Sequence, residues 1–119
     1  MYSRLAIAGC LCAHFPQSSL AYNPGTSWRN GNAFAALLED GTVQAWGDSD
    51  DGGSGVPSGL AGVRTIYSTY GAFAALLEDG TVQAWGESDY GGSGVPSGLT
   101  GVRTIYSTDS AFAALLEDG

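Results

Sequence analysis

Residues 33–71 read AFAALLEDGTVQAWGDSDDGGSGVPSGLAGVRTIYSTYG, and residues 72–110 repeat them with changes at five positions: Asp48/Glu87, Asp51/Tyr90, Ala61/Thr100, Tyr70/Asp109 and Gly71/Ser110. The period is 72 − 33 = 39 residues, and a third copy opens at Ala111 as AFAALLEDG before the sequence reaches Gly119 inside an expected hairpin. A period of this length belongs to solenoids, propellers and arrays, in which each unit buries its apolar face only against its neighbours.

Local signals change in order along one copy. The apolar run 33–38 and the run 42–47, with its β-branched and aromatic residues, flank Asp40-Gly41, where glycine can take the positive φ of a tight turn. A helix is the rival reading of AFAALLE, but so short a run is marginal alone, and the Asp-Gly break followed by TVQAW favours strands. The next stretch, rich in glycine and serine and carrying Pro57, is loop. The expected strands are 34–38, 42–47 and 63–68 with their copies. Because the link from VRTIYS to the next AFAALL is short, one meander should span 63–86, with 87–101 crossing to the next unit. The first hairpin would then take its opening strand from TSWRNGN, whose sequence does not match VRTIYST. Strict alternation along 63–67 would set Val63, Thr65 and Tyr67 on one face, with Arg64 turned away toward loop acids or an aromatic ring, and Arg103 likewise in the next copy.

Asp40-Gly41, Ala45-Trp46-Gly47, Val56-Pro57 and Gly62-Val63, repeated as Asp79-Gly80, Ala84-Trp85-Gly86, Val95-Pro96 and Gly101-Val102, resemble repeats of the regulator of chromosome condensation superfamily. The short period and three-strand unit look more narrowly like the secreted β-lactamase inhibitor proteins of bacteria. The resemblance covers 33–119 and implies an all-β fold, a partial β-propeller of about two to three three-stranded antiparallel blades in an incomplete ring. It also implies a binding role. The nuclear members commonly carry a histidine before the leucine-rich strand, where this chain has Ala72-Phe73.

Residues 1–21 differ in composition from the repeats. Arg4, the apolar run 5–13, Pro16 and the small residues Ser19-Leu20-Ala21 read as a secretory signal, with export to the medium or cell surface as its consequence; the alternatives are a bacterial lipoprotein cleavage box, which Ile7-Ala8-Gly9-Cys10 resembles, and a mis-assigned start codon. The run is too short for a permanent bilayer span. Cys10, Cys12 and His14 all fall in this segment, so neither disulfide nor zinc chemistry is expected of the repeats. Residues 22–32 form a lead-in of turn formers, with Trp28 expected to cover the edge of the first hairpin.

Four arginines against twelve acidic residues give a net charge of −8, which repels phosphate backbones and favours a protein partner with a basic surface over nucleic acid. Asp48-Ser49-Asp50-Asp51-Gly52-Gly53 invites a calcium reading, but the glycine spacing is wrong for a cation loop, and the second copy replaces one acid with Tyr90. No metal or cofactor is expected. The repeats hold no histidine, cysteine or lysine, and the recurring Glu39-Asp40 is what a turn needs, so the chain reads as non-enzymatic. Trp46, Trp85 and the phenylalanines read as repeated packing. The positions that vary between copies fall in loops, where a fixed scaffold diversifies its contacts, and this makes Asp51, Tyr70, Tyr90 and Asp109 the candidate partner-contact residues.

Three functional classes follow: a propeller-repeat module that binds a protein through its loops, an intracellular exchange-factor or chromatin regulator, and a gene fragment without separate activity. The unfinished last hairpin and the orphan first one leave sheet edges that would recruit further copies into a homo-oligomer.

Overall fold

The computed structural model describes residues 28–119 and, before them, only the backbone of Ala6–Ala8. Most of the expected signal segment, with Cys10, Cys12 and His14, and the first part of the lead-in therefore lie outside the described residues. The described strands are β1 (Ala6–Ala8), β2 (Ala33–Leu37), β3 (Val43–Gly47), β4 (Val63–Ser68), β5 (Ala72–Leu77), β6 (Val82–Gly86), β7 (Val102–Ser107) and β8 (Phe112–Leu116). They form three antiparallel sheets in the orders β1-β2-β3, β4-β5-β6 and β7-β8, and among the described residues these sheets do not close into a ring.

Alanine and leucine serve as strand formers here because the middle sheet is covered on both sides. All but the last residue of β5 are buried, and a strand buried on both faces reads as a continuous apolar run and not as an alternating one. One face of the middle sheet sends Phe73, Ala75, Trp85 and Ile66 against Ala33, Ala35 and Leu37 of the first. The other sends Tyr67, Ala74 and Leu76 against Val102 and Ile105 of the third. Sequence equivalence thus becomes spatial succession: each sheet lays one face on the next.

The meander over 63–86 is as expected, but three details differ. The turn of the first hairpin is centred on Glu39-Asp40 and not on Asp40-Gly41. Gly41 follows at φ 82, and Leu38 N–H donates to the Thr42 carbonyl at 2.9 Å, which is the three-residue hairpin loop that places glycine last. In β4 the register slips between Val63 and Thr65, making Arg64 the extra residue of a bulge. The bulge breaks the expected alternation, so Val63 joins Ile66 on the face toward the first sheet while Tyr67 faces the third. Among the described residues, Arg64 reaches neither an acid nor a ring. Its Nη2 donates to the Arg103 carbonyl at 3.0 Å.

The third difference is the opening strand of the first sheet. Ala6–Ala8 pairs with β2, in the register Ala6↔Leu37 to Ala8↔Ala35. The segment around Trp28 takes only the place that the end of β4 holds one period later. The Trp28 N–H donates to the Ser68 carbonyl at 3.0 Å and to Ser107 Oγ, Ser68 Oγ donates to its carbonyl, and the residue is about half exposed.

Candidate functional site

Two kinds of junction recur between sheets, and the second builds the candidate site. In the first, the crossover loop leaving one sheet folds over the aromatic pair of the next. Asp48 and Gly53 close the wide turn Ser49–Gly53 through Gly53 N–H to the Asp48 carbonyl at 2.7 Å. The Asp48 carboxylate accepts from Asp50 N–H at 2.9 Å, a bond the longer Glu87 does not make in the second copy. This turn presents Gly52 to the stacked rings of Phe73 and Trp85, whose centroids lie 5.4 Å apart. Only glycine fits, because a Cβ at Gly52 would stand 2.7 Å from Phe73 Cδ2 and the backbone is at φ +99.

The same loop one period later places Gly91 over Phe112. Between the middle and third sheets, beneath that loop, lies a cavity of about 450 Å³ lined mainly by apolar side chains, among them Ala74, Val82, Val95, Phe112 and Leu116. In the preceding junction the Trp85 indole belongs to the packed core at the corresponding place.

The second junction lies where each first strand passes into the next. Gly31 N–H donates to the Tyr70 carbonyl at 2.8 Å, and Tyr70 N–H donates to the Asp109 carbonyl at 2.9 Å, so positions one period apart are stitched into a ladder across the three units. Beneath it, Asn30 Nδ2 donates to the Asp51 carbonyl at 2.8 Å, as Thr69 Oγ1 donates to the Tyr90 carbonyl at 2.6 Å. Asn30 Oδ1 also accepts from the N–H of Asn32 and Ala33 at 2.9 and 2.8 Å, the task Thr108 Oγ1 performs for Ser110 and Ala111.

These junctions bring all four sequence-derived candidates into one cluster. The Tyr70 and Tyr90 rings lie 5.7 Å apart at 43°, with Tyr70 44 % exposed. Asp51 Oδ2 accepts from Asn32 Nδ2 at 2.7 Å, and Asp109 Oδ1 accepts from the Ser110 hydroxyl at 2.9 Å. Gly71 is wedged among them: a Cβ there would come within 2.8 Å of Asp51 Oδ1 and 2.9 Å of Tyr90 Cδ2. Asn30, Gly31 and Asn32 belong to the same cluster. They look like mere turn formers in sequence, but extending the repeat register upstream sets Asn30 against Thr69 and Thr108.

Among the described residues, no group of three or more histidine, cysteine, aspartate or glutamate side chains could hold a metal ion. Among the same described residues, no helix is long and apolar enough to cross a membrane. The carboxyls of Asp40 and Asp79 are held below their ordinary value, first by the Thr42 and Thr81 hydroxyls and then by the backbone N–H of the same threonines. These are turn bonds, with Thr42 Oγ1 2.6 Å from Asp40 Oδ1. No protein-family model matches the chain, and no similar protein is found among curated ones.

Proposed function

We propose that the chain is an exported, propeller-type repeat segment that binds a protein partner, without catalysis, through the cluster that carries Asp51, Tyr70, Tyr90 and Asp109. The observation that carries this reading is the convergence of four residues from two of the five positions that differ between otherwise near-identical copies, with Gly71 of a third such position among them. The propeller reading draws support from three successive sheets joined by two recurring kinds of junction, and export from the composition of residues 1–21. Exposed tyrosine offers contact area at low entropic cost, and an aromatic face beside carboxylates suits an arginine or lysine of the partner.

The test is interferometry of the immobilised full chain against purified proteins comprising a β-lactamase and a set of small basic proteins. Binding that falls at least about tenfold, near 1.4 kcal/mol, in the double variant Tyr70→Ala, Tyr90→Ser is the expected result. No binding by any of these proteins, or binding undiminished by the double variant, overturns the proposal.

A further inference from the structure

Of the asparagines Asn23, Asn30 and Asn32, only Asn30 is followed by a residue whose backbone nitrogen is unhindered toward the side chain before it. Asn23 precedes Pro24, whose nitrogen has no proton to lose, and Asn32 precedes Ala33, whose Cβ crowds the approach that glycine leaves free. In the folded chain the Asn30-Gly31 pair is held at both partners. Asn30 is 5 % exposed, its Oδ1 accepts from the N–H of Asn32 and Ala33, and its Nδ2 donates to the Asp51 carbonyl. The attacking atom would be the Gly31 nitrogen, whose N–H is committed to the Tyr70 carbonyl at 2.8 Å. Gly31 is itself exposed, so this hydrogen bond and not burial restrains the nitrogen. The Tyr70 ring lies against Gly31, where a Cβ would stand 2.7 Å from Tyr70 Cε2, so a larger residue there would displace the ring. At the equivalent places one and two periods on stand Thr69 and Thr108, which carry no amide. Thr69 Oγ1 does the work of Nδ2 by donating to the Tyr90 carbonyl, and Thr108 Oγ1 does the work of Oδ1 by accepting from Ser110 and Ala111. A hydroxyl can therefore hold this junction, and of the three equivalent positions only Asn30 is chemically labile.

From this we infer that Asn30 is a deamidation site that the fold holds shut: conversion requires the turn at 30–33 to leave the middle sheet, and the product keeps it from returning. In the step itself the Gly31 nitrogen loses its proton and bonds to Asn30 Cγ. The Cγ–Nδ2 bond breaks, and Nδ2 leaves with its two hydrogens and one more proton as ammonia. Water then opens the five-membered imide at either carbonyl, leaving aspartate or isoaspartate at position 30. Both products lose the amide donor. A carboxylate oxygen then takes the place of Nδ2, 2.8 Å from the Asp51 carbonyl, and two acceptors facing each other in a buried place are costly. Isoaspartate also carries the main chain through the former side-chain carbon, which shifts the Gly31 N–H away from the Tyr70 carbonyl. Protection in the native chain therefore measures how seldom this segment opens locally. The inference concerns chemistry and stability at position 30, so it stands or falls apart from the partner-binding reading.

The test incubates the full chain at mildly alkaline pH, which favours the deprotonated nitrogen, both in buffer and in guanidinium chloride above its unfolding midpoint. Trypsin cleaves after Arg29 and Arg64, and mass spectrometry of the peptide 30–64, with fragmentation that separates residue 30 from Asn32 and Gln44, follows the exchange of an amino group for a hydroxyl. Conversion at residue 30 should accumulate in denaturant and run at least about tenfold more slowly in buffer, the protection that local opening confers. After dilution from denaturant the converted chain should melt below fresh wild type. Asn30→Thr, carried through the same incubation, should gain no mass at residue 30 and lose less of its melting temperature, which subtracts damage elsewhere in the chain. Asn30→Asp, made directly and never incubated, should also melt below the wild type, and it serves alone where circular dichroism shows Asn30→Thr unfolded. Conversion as fast in buffer as in denaturant, no conversion at residue 30 in either, or an Asn30→Asp chain that melts with the wild type overturns the proposal.

Discussion

The indole Nε1 of Trp85 donates to the Gly52 carbonyl at 3.1 Å, tying the last strand of the middle sheet to the loop that leaves the sheet before it. One period earlier the same residue type, in the same VQAWG, is about half exposed as Trp46. The role of this tryptophan is therefore set by which unit precedes it.

Trp85→Phe keeps an aromatic ring beside Phe73 but removes the donor and part of the buried indole's volume. It leaves a buried carbonyl unsatisfied, at a cost of about 1–3 kcal/mol, whereas Trp46→Phe should stay within about 0.5 kcal/mol of the wild type. Urea unfolding followed by far-ultraviolet circular dichroism compares the two, and equal losses would contradict the assignment.

Gly52 and Gly55 separate contact from backbone strain. Both have positive φ, but a Cβ at Gly52 meets the Phe73 ring while one at Gly55 meets nothing within 4 Å. Gly52→Ala should cost about 2–4 kcal/mol, combining strain with overpacking, and Gly55→Ala about 1–2 kcal/mol from strain alone. Equal midpoints for the two variants would show that the ring contact contributes nothing.

Much of this architecture was legible in the repeats. The Asp-Gly break and the identical AFAALL runs located the hairpins, and the short VRTIYS link located the meander, because those signals are local. The Arg64 bulge was not legible, since alternation is the default for a strand and the slip is set by pairing with β5. The β1 strand was hidden for a different reason. Residues 6–8 have the composition of a signal, and their pairing with β2 depends on a vacancy in the first sheet that the lead-in sequence does not advertise. At the candidate site, the variable positions were visible by comparing copies. Asn30 and Asn32 were missed because their roles appear only when the register is carried upstream past the end of sequence identity.

Removing residues 1–21, as export would do, takes β1 from the first sheet and leaves the edge of β2 open. Three paired positions are lost. At about 0.5–1.5 kcal/mol net for each hydrogen bond, less the ordering cost of the strand, the 22–119 chain should be less stable by about 1–3 kcal/mol and melt several degrees lower. Thermal unfolding of the two chains measures this, and N-terminal sequencing of a secreted product tests whether cleavage occurs before Tyr22. Identical melting curves would remove β1 from the stable fold.

The acid limb of stability should carry the signature of two turn aspartates. Thr42 and Thr81 donate to Asp40 and Asp79 by hydroxyl and by backbone N–H, which favours the ionised carboxylates and lowers their pKa values in the folded chain. The unfolded chain then binds protons first as the pH falls. The stabilisation is complete above the unfolded carboxylate value, about 3.9, and is lost as the pH falls through the lower folded value. In the double variant Asp40→Asn, Asp79→Asn the amide oxygen can still accept from threonine, but the bond is no longer charge-assisted and no longer titrates. The variant should therefore melt below the wild type near neutral pH, and the gap should narrow below about pH 4. The other carboxylates are common to both chains and cancel in the comparison. A gap that stays constant from pH 7 to pH 3 would mean that the threonine bonds do not discriminate between the charged and neutral carboxyls.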